Sequence, residues 1–397
     1  MSFKICKYSK KVINFISLLL LIIIGGGFLM ETGWIRGGTS LFVIILQLCY
    51  RMFNIQRIDR KLFSKFYIVS AFFIFHALIF INKDISLASY IFFLLETTGM
   101  VLLLSNTNQD NFIRLYNSIV TILCTYSLIL YFINLLFDFT DKGIVIDNRY
   151  ILFLFQNIRY ISRNAGPFWE PGIFQIYILI ALFFTFYVIK NNSVKDNLFR
   201  IILYILTILT TRSTTGYAIL AFLISTKLLI IYKEIHGKLK GIIFILSPIL
   251  IIILSYFLFN SQAVQNKLFT GHISLTLRKN DLLETIPILF DAGFIGLGAG
   301  SYARQMLLAQ HNIVLDGLGN SVAISSAGAS YGWPFVAIFI FSCFSTIKKN
   351  FPYGWILIII LFFDWLFEPL FTIPIYMAFC LGNWKKKDFN ILEKRKI

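Results

Sequence analysis

Charge is scarce in this chain. Only 14% of its 397 residues are Asp, Glu, Lys or Arg, and 58% are hydrophobic, whereas in soluble domains about a quarter of residues are charged. An apolar core of that size would have no polar face to turn to water, which excludes the soluble classes. Cysteine is sparse as well. Cys6, Cys49, Cys124, Cys343 and Cys380 show no CxxC spacing and mostly sit in apolar runs, which argues against a disulfide framework or a thiolate metal site. Acids are few, 19 against 36 Lys and Arg. In a soluble protein that excess would suggest nucleic acid; in a membrane protein it marks loops on the cytoplasmic side. No A-x-A pattern follows Lys4, Lys7, Lys10, Lys11 and the apolar run 12–30, so this segment reads as a first membrane helix rather than a cleaved signal.

What is abundant is apolar sequence of membrane-spanning length. Spans are expected at about 12–30, 39–54, 64–82, 86–104, 113–137, 171–189, 198–211, 214–232, 241–259, 321–347, 353–367 and 369–383. The run 198–232 would reach about 52 Å as one helix, against a hydrocarbon core of about 30 Å. Thr210, Thr211, Arg212, Ser213, Thr214 and Thr215 therefore read as a turn between two helices. Pro369 splits 353–383 by the same logic, because proline breaks the helical ladder. With the N-terminus inside, Lys and Arg concentrate in the inner segments, at the N-terminus, 51–65, 190–200, 227–240 and 385–396. The expectation is an all-α polytopic integral membrane protein of about twelve helices. It has one domain over 1–397, two large outer loops at about 138–170 and 260–320, and a cytoplasmic tail at 384–397.

On this topology Arg163, Glu170, Arg212, Arg278 and the Glu368-Pro369 junction gather at the outer face. Charges near the bilayer are costly and mark functional sites by default. Arginine's planar fork suits phosphate oxygens, and a half-buried glutamate is a candidate general base. No nucleotide is available outside, so a synthetic enzyme there must draw its energy from a membrane-borne substrate such as a lipid pyrophosphate. Each residue also has a plainer reading. Glu170-Pro171 is good helix-start chemistry, Arg163 can snorkel, and Arg212 can be a polar turn. Lys279, Asp281 and Glu284 suggest a solvated amphipathic helix, and His76 a packed side chain. His272 and His311 lie in the second outer loop, where a base or a surface role is open. Gly296, Gly298 and Gly300 form a glycine run with no strand before it, a poor nucleotide site. Phe168, Trp169 and Trp333 fit sugar stacking or an interfacial belt equally well.

The stretch 163-RNAGPFWEPGIFQ-175 resembles the R-x-x-G-x-F-x-E-P signature of the bacterial O-antigen and capsule repeat-unit polymerases (Wzy type), whose superfamily includes the O-antigen ligases. LTTRSTTGYAIL, LRKNDLLETIPILFDAGFIGLGAGSY and EPLFTIPIYMAFCLG are similar, in order, to further family segments over about 150–383. The resemblance implies a glycosyltransferase without cofactor or metal. It would act at the outer side of the bacterial cytoplasmic membrane, on undecaprenyl-pyrophosphate-linked oligosaccharide. Arg163, Arg212 and Arg278 would hold pyrophosphate, and Glu170 is the motif carboxylate; Glu368 and His311 are the other candidate catalytic residues. A chain-length regulator is a candidate protein partner, and nucleic acid is not expected. Ligases carry a His-Asn near the end of the second outer loop. Here His311-Asn312 is early and Gly319-Asn320 lacks the histidine, which favours a polymerase over a ligase. A lipid-linked oligosaccharide flippase is the rival from another class. It should show repeat symmetry and mid-membrane charges, yet the interior acids are only Glu96 and Asp364, and the two halves show no symmetry.

Overall fold

The computed structural model describes residues 2–27, 33–54, 60–137, 144–146, 149–152, 156–157, 163–189, 194–234, 273–311, 313, 322–368, 371, 373–382 and 384. The protein is built from helices. They are α1 (Ser2–Ile24), α2 (Gly33–Asn54), α3 (Arg60–Ile79), α4 (Leu87–Asn106), α5 (Gln109–Phe137), α6 (Pro171–Phe183), α7 (Val194–Thr211) and α8 (Thr214–Glu234), followed by α9 (Ile273–Asp291), α10 (Tyr302–Gln310), α11 (Ala323–Tyr331), α12 (Trp333–Asn350), α13 (Gly354–Phe367) and α14 (Pro374–Leu381). Five helices among the described residues are long and apolar enough to cross a membrane: α3, α4, α5, α6 with its wide-turn extension to Val188, and α8. The chain is thus a helical, membrane-embedded protein. The expected span at 241–259 lies outside the described residues.

α6 is the axis of the molecule. Every residue from Pro171 to Phe183 is buried, and a helix apolar on all sides belongs in the middle of a bundle. It packs on α5, α7, α8 and α13. α3, by contrast, leaves Tyr67, Ile68, Ile74, Phe75 and Leu78 exposed, a surface suited to lipid. Since lipid is as apolar as leucine, buried polar pairs help fix which helices meet. Gln47 on α2 donates to Asn14 Oδ1 (3.2 Å) and Ser17 Oγ (2.8 Å) of α1, and accepts from Asn106 Nδ2 of α4 (2.7 Å). Asn117 of α5 donates to Thr185 Oγ1 at 3.0 Å, and Tyr116 donates to the Tyr177 carbonyl of α6 at 3.0 Å.

Three features depart from the expectation. The segment expected as the first outer loop contains a small antiparallel sheet of β1 (Ile144–Ile146), β2 (Arg149–Leu152) and β3 (Gln156–Asn157), with Ile146 opposite Arg149. The single span expected at 321–347 is two helices. Gly332 between them sits at φ +82, where a Cβ would run into the Phe294 carbonyl, and Pro334 then opens α12. Asp281, expected on a solvated helix face, is 2% exposed.

Candidate functional site

The stretch 163–170 is tied down at both ends. The Asn164 N–H donates to the Thr210 carbonyl (2.9 Å), and its Nδ2 reaches Thr210 Oγ1 (3.1 Å) and Ser127 Oγ (3.4 Å). Its Oδ1 accepts from the Gly166 N–H at 3.0 Å, an Asx turn of the sort this residue favours. Gly166 takes φ +54, with Phe174 filling the space where a Cβ would stand. Further on, Trp169 N–H donates to the Gly26 carbonyl at the end of α1 (3.3 Å). Phe168 is 1% exposed and stacked on Phe174 and Tyr177 at 5.3 and 4.9 Å, so it is a packing ring and not a surface for sugar.

This frame sets two arginines together. Arg163 Nε donates to the Thr211 carbonyl at 3.1 Å, capping the end of α7. Arg212 follows immediately, exposed, with φ +49. The α7–α8 corner falls where the TTRSTT turn was expected. Both guanidiniums lie within electrostatic reach of the Tyr217 hydroxyl, and Arg212 also of Tyr131. A left-handed position that closes a helix is ordinarily glycine's. An arginine there accepts backbone strain, and strain of this kind clusters at functional sites.

Two carboxylates lie at the N-terminus of α6. Glu170 is the N-cap residue of α6 by its backbone (φ −138, ψ 146), yet its carboxylate makes no capping hydrogen bond. The plain helix-start reading accounts for Pro171 at the first turn and, through the helix dipole rather than a capping bond, for an acid beside it. Glu368 closes α13, where its N–H donates to the Asp364 carbonyl at 2.8 Å. It is 1% exposed, and its carboxylate lies where a Cβ on Gly172 would stand. The α6 N-terminus, a favourable place for negative charge, thus has one acid on each side. Pro369, Leu370 and the side chain of Arg278 on α9 lie outside the described residues.

No protein-family model, curated protein or solved structure matches this chain. What the site can do is therefore read from its own chemistry.

His311 belongs to a different set of contacts. It ends α10, and its Nδ1 lies 2.8 Å from Glu284 Oε2 and its Nε2 2.9 Å from Asp291 Oδ2, both on α9. The Glu284 hydrogen bond, with that of Asp291, raises the imidazole's pKa against the opposing effect of partial burial. With both nitrogens engaged by acids, the ring suits an imidazolium clasp holding α10 to α9 and has none left to receive a substrate proton.

The glycine run also has a packing role. Ala299 N–H donates to Tyr90 Oη at 3.1 Å, Tyr90 Oη lies 2.8 Å from His76 Nδ1, and His76 Nε2 lies 2.6 Å from the Ile295 carbonyl. Because a carbonyl only accepts, Nε2 carries the proton and Nδ1 accepts from the tyrosine. Gly298 and Gly300, at φ +93 and +71, let the loop lie against Phe80, Ile85 and Ser86 of the α3–α4 hairpin. The sequence reading missed two features here. One is the ion pair between Arg36 of α2 and Glu96 of α4; the other is Arg304 on α10. Glu96 inside an apolar run was the visible sign of the first. Nothing in the local sequence marked the second.

Proposed function

We propose that the protein is a polysaccharide polymerase. It transfers a glycan chain from lipid pyrophosphate to a sugar hydroxyl of a lipid-linked repeat unit, at the outer side of the bacterial cytoplasmic membrane. The topology behind this reading is about twelve spans with both termini inside. The observation that carries it is Arg163 seated on the α7–α8 corner, its Nε on the Thr211 carbonyl next to Arg212, in the stretch that leads through Glu170 into α6. Two arginine forks match the oxygens of a pyrophosphate and stabilise the charge it gains on leaving.

In the proposed step the bond between the donor sugar's anomeric carbon and the phosphate oxygen breaks, and its electron pair stays on the lipid pyrophosphate. A bond from the acceptor oxygen to that carbon forms, and the acceptor's proton passes to a carboxylate. Glu170 is the candidate for that proton, being half-exposed and not used in capping. Glu368, buried against Gly172, is the second candidate. Arg278 would add a third cation from α9, and a chain-length regulator is the protein partner this reading allows.

The test is the length distribution of surface and lipid-linked glycan in a host with and without the gene, and with Arg163→Ala. Single repeat units at the surface are the expected result for the deletion and for the variant. Long chains stranded on the lipid carrier would mean a ligase, units trapped inside would mean a flippase, and an unchanged profile would reject the reading.

A further inference from the structure

Arg304 carries a charge that no carboxylate among the described residues balances. It lies on α10 one turn after Ser301, whose hydroxyl caps the helix by accepting from the Arg304 N–H at 3.1 Å. The side chain is largely covered. Its Nη1 makes only long contacts to two hydroxyls of α11, 3.4 Å to Ser326 Oγ and 3.5 Å to Ser330 Oγ. Its Nε is buried with no hydrogen-bond partner, and no carboxylate among the described residues lies within ion-pair distance. An arginine does not shed its proton in a protein, and a buried charge with no counter-charge is strongly unfavourable.

The surroundings favour an anion. Burial works against the Arg304 charge, while the Tyr331 and Tyr90 hydroxyls lie within its electrostatic reach. Arg36 of α2 also acts electrostatically on Tyr331. Glu96 neutralises Arg36 alone. The glycine run that leads into α10 is held by the Tyr90–His76 relay and by the Gly300 contact with Ser86. None of these groups belongs to the Arg163–Arg212 pair, whose neighbours are Thr211, Tyr217 and Tyr131.

We propose that Arg304, with Ser326 and Ser330, is a second phosphoryl-binding site, separate from the Arg163–Arg212 site. The inference rests on the polymerase reading for its biological sense. Joining two lipid-pyrophosphate-linked partners requires both to be held at once, and one arginine pair holds one pyrophosphate. A bound phosphoryl group would supply the counter-charge and could use the two serine hydroxyls as further donors.

The test uses the full-length protein in detergent micelles, with farnesyl pyrophosphate and inorganic pyrophosphate as probes in calorimetric titration. The wild type should bind two equivalents of farnesyl pyrophosphate. Arg304→Gln should keep one and weaken the other at least tenfold, and Ser326→Ala with Ser330→Ala should weaken the same one. The unliganded Arg304→Gln protein should melt no lower than the wild type, because the substitution removes a partly buried charge that has no carboxylate partner among the described residues. Arg163→Ala with Arg212→Ala should lose the other equivalent. If it loses none while Arg304→Gln does, the second site stands and the polymerase site is misplaced. Inorganic pyrophosphate binding as tightly as the farnesyl form would identify a site for the free anion, and weaker binding would identify a lipid substrate; either supports the pocket. Unchanged affinity and stoichiometry in Arg304→Gln would overturn it.

Discussion

A glycine at position 212 should separate fold from function. Arg212 sits at φ +49, in the left-handed region, immediately after α7 ends and two residues before α8 begins. For an L residue with a side chain that conformation costs roughly 1–2 kcal/mol, a cost glycine does not carry. Glycine's larger freedom in the unfolded chain returns up to about 1 kcal/mol of that. The net expectation for Arg212→Gly is therefore a stability unchanged or raised by about 1 kcal/mol. Activity should move the other way. Hydrogen bonds to charged groups are worth about 1.5–3 kcal/mol each, so loss of the fork should slow transfer by about 10- to 100-fold. Both readouts come from the same membranes, as melting temperature of the solubilised protein and as glycan chain length on a gel. Arg212→Lys would keep the charge but lose the fork, and should recover only part of the activity. Normal polymer from Arg212→Gly would refute the phosphate role, and a lower melting temperature would refute the argument from backbone strain.

Gly172→Ala should reduce polymer sharply, because the new Cβ would collide with the buried Glu368 carboxylate; overpacking of this kind costs about 1–3 kcal/mol, and normal product would show that the acid is not held there. The His311 clasp makes a pH prediction. Its carboxylate partners raise the folded pKa above the unfolded value of about 6.5, so its stabilisation is complete below that value and is lost as pH rises through the raised one. Limited proteolysis near α10 should accelerate across that window in the wild type and be flat with pH in His311→Gln, which should still make polymer; a variant that folds but makes none would restore a catalytic role to the histidine.

The parts of the fold legible in the sequence are those written locally. Thr210 to Thr215 announced the corner at Arg212, and Glu368-Pro369 announced the end of α13, because polar runs and proline interrupt a helix wherever they occur. Gly332-Trp333-Pro334 carried the same signal inside 321–347, but continuous apolarity on both sides masked it. The strands of the first loop were signalled too, by IVI and RYIL two residues apart around Asp147-Asn148. What could not be read was pairing at a distance. His76 meets the Ile295 carbonyl 219 positions away, and Arg36 meets Glu96 60 positions away. Periodicity says which residues are buried and is silent on their partners. Of the candidate site, the sequence named Arg163 and the corner at Arg212 but not the Thr211 carbonyl that joins them; His311 is engaged by Glu284 and Asp291, and Arg304 becomes visible only once α10 is laid against α11.

The most direct measurement is reconstitution. The purified protein, in vesicles with one lipid-pyrophosphate-linked repeat unit and no other enzyme, should yield a ladder of lengthening lipid-linked glycans and release lipid pyrophosphate one molecule per bond formed. The ladder should be absent with Arg163→Ala. Substrate that crosses the bilayer without lengthening, or remains unchanged in the presence of folded protein, would contradict the account.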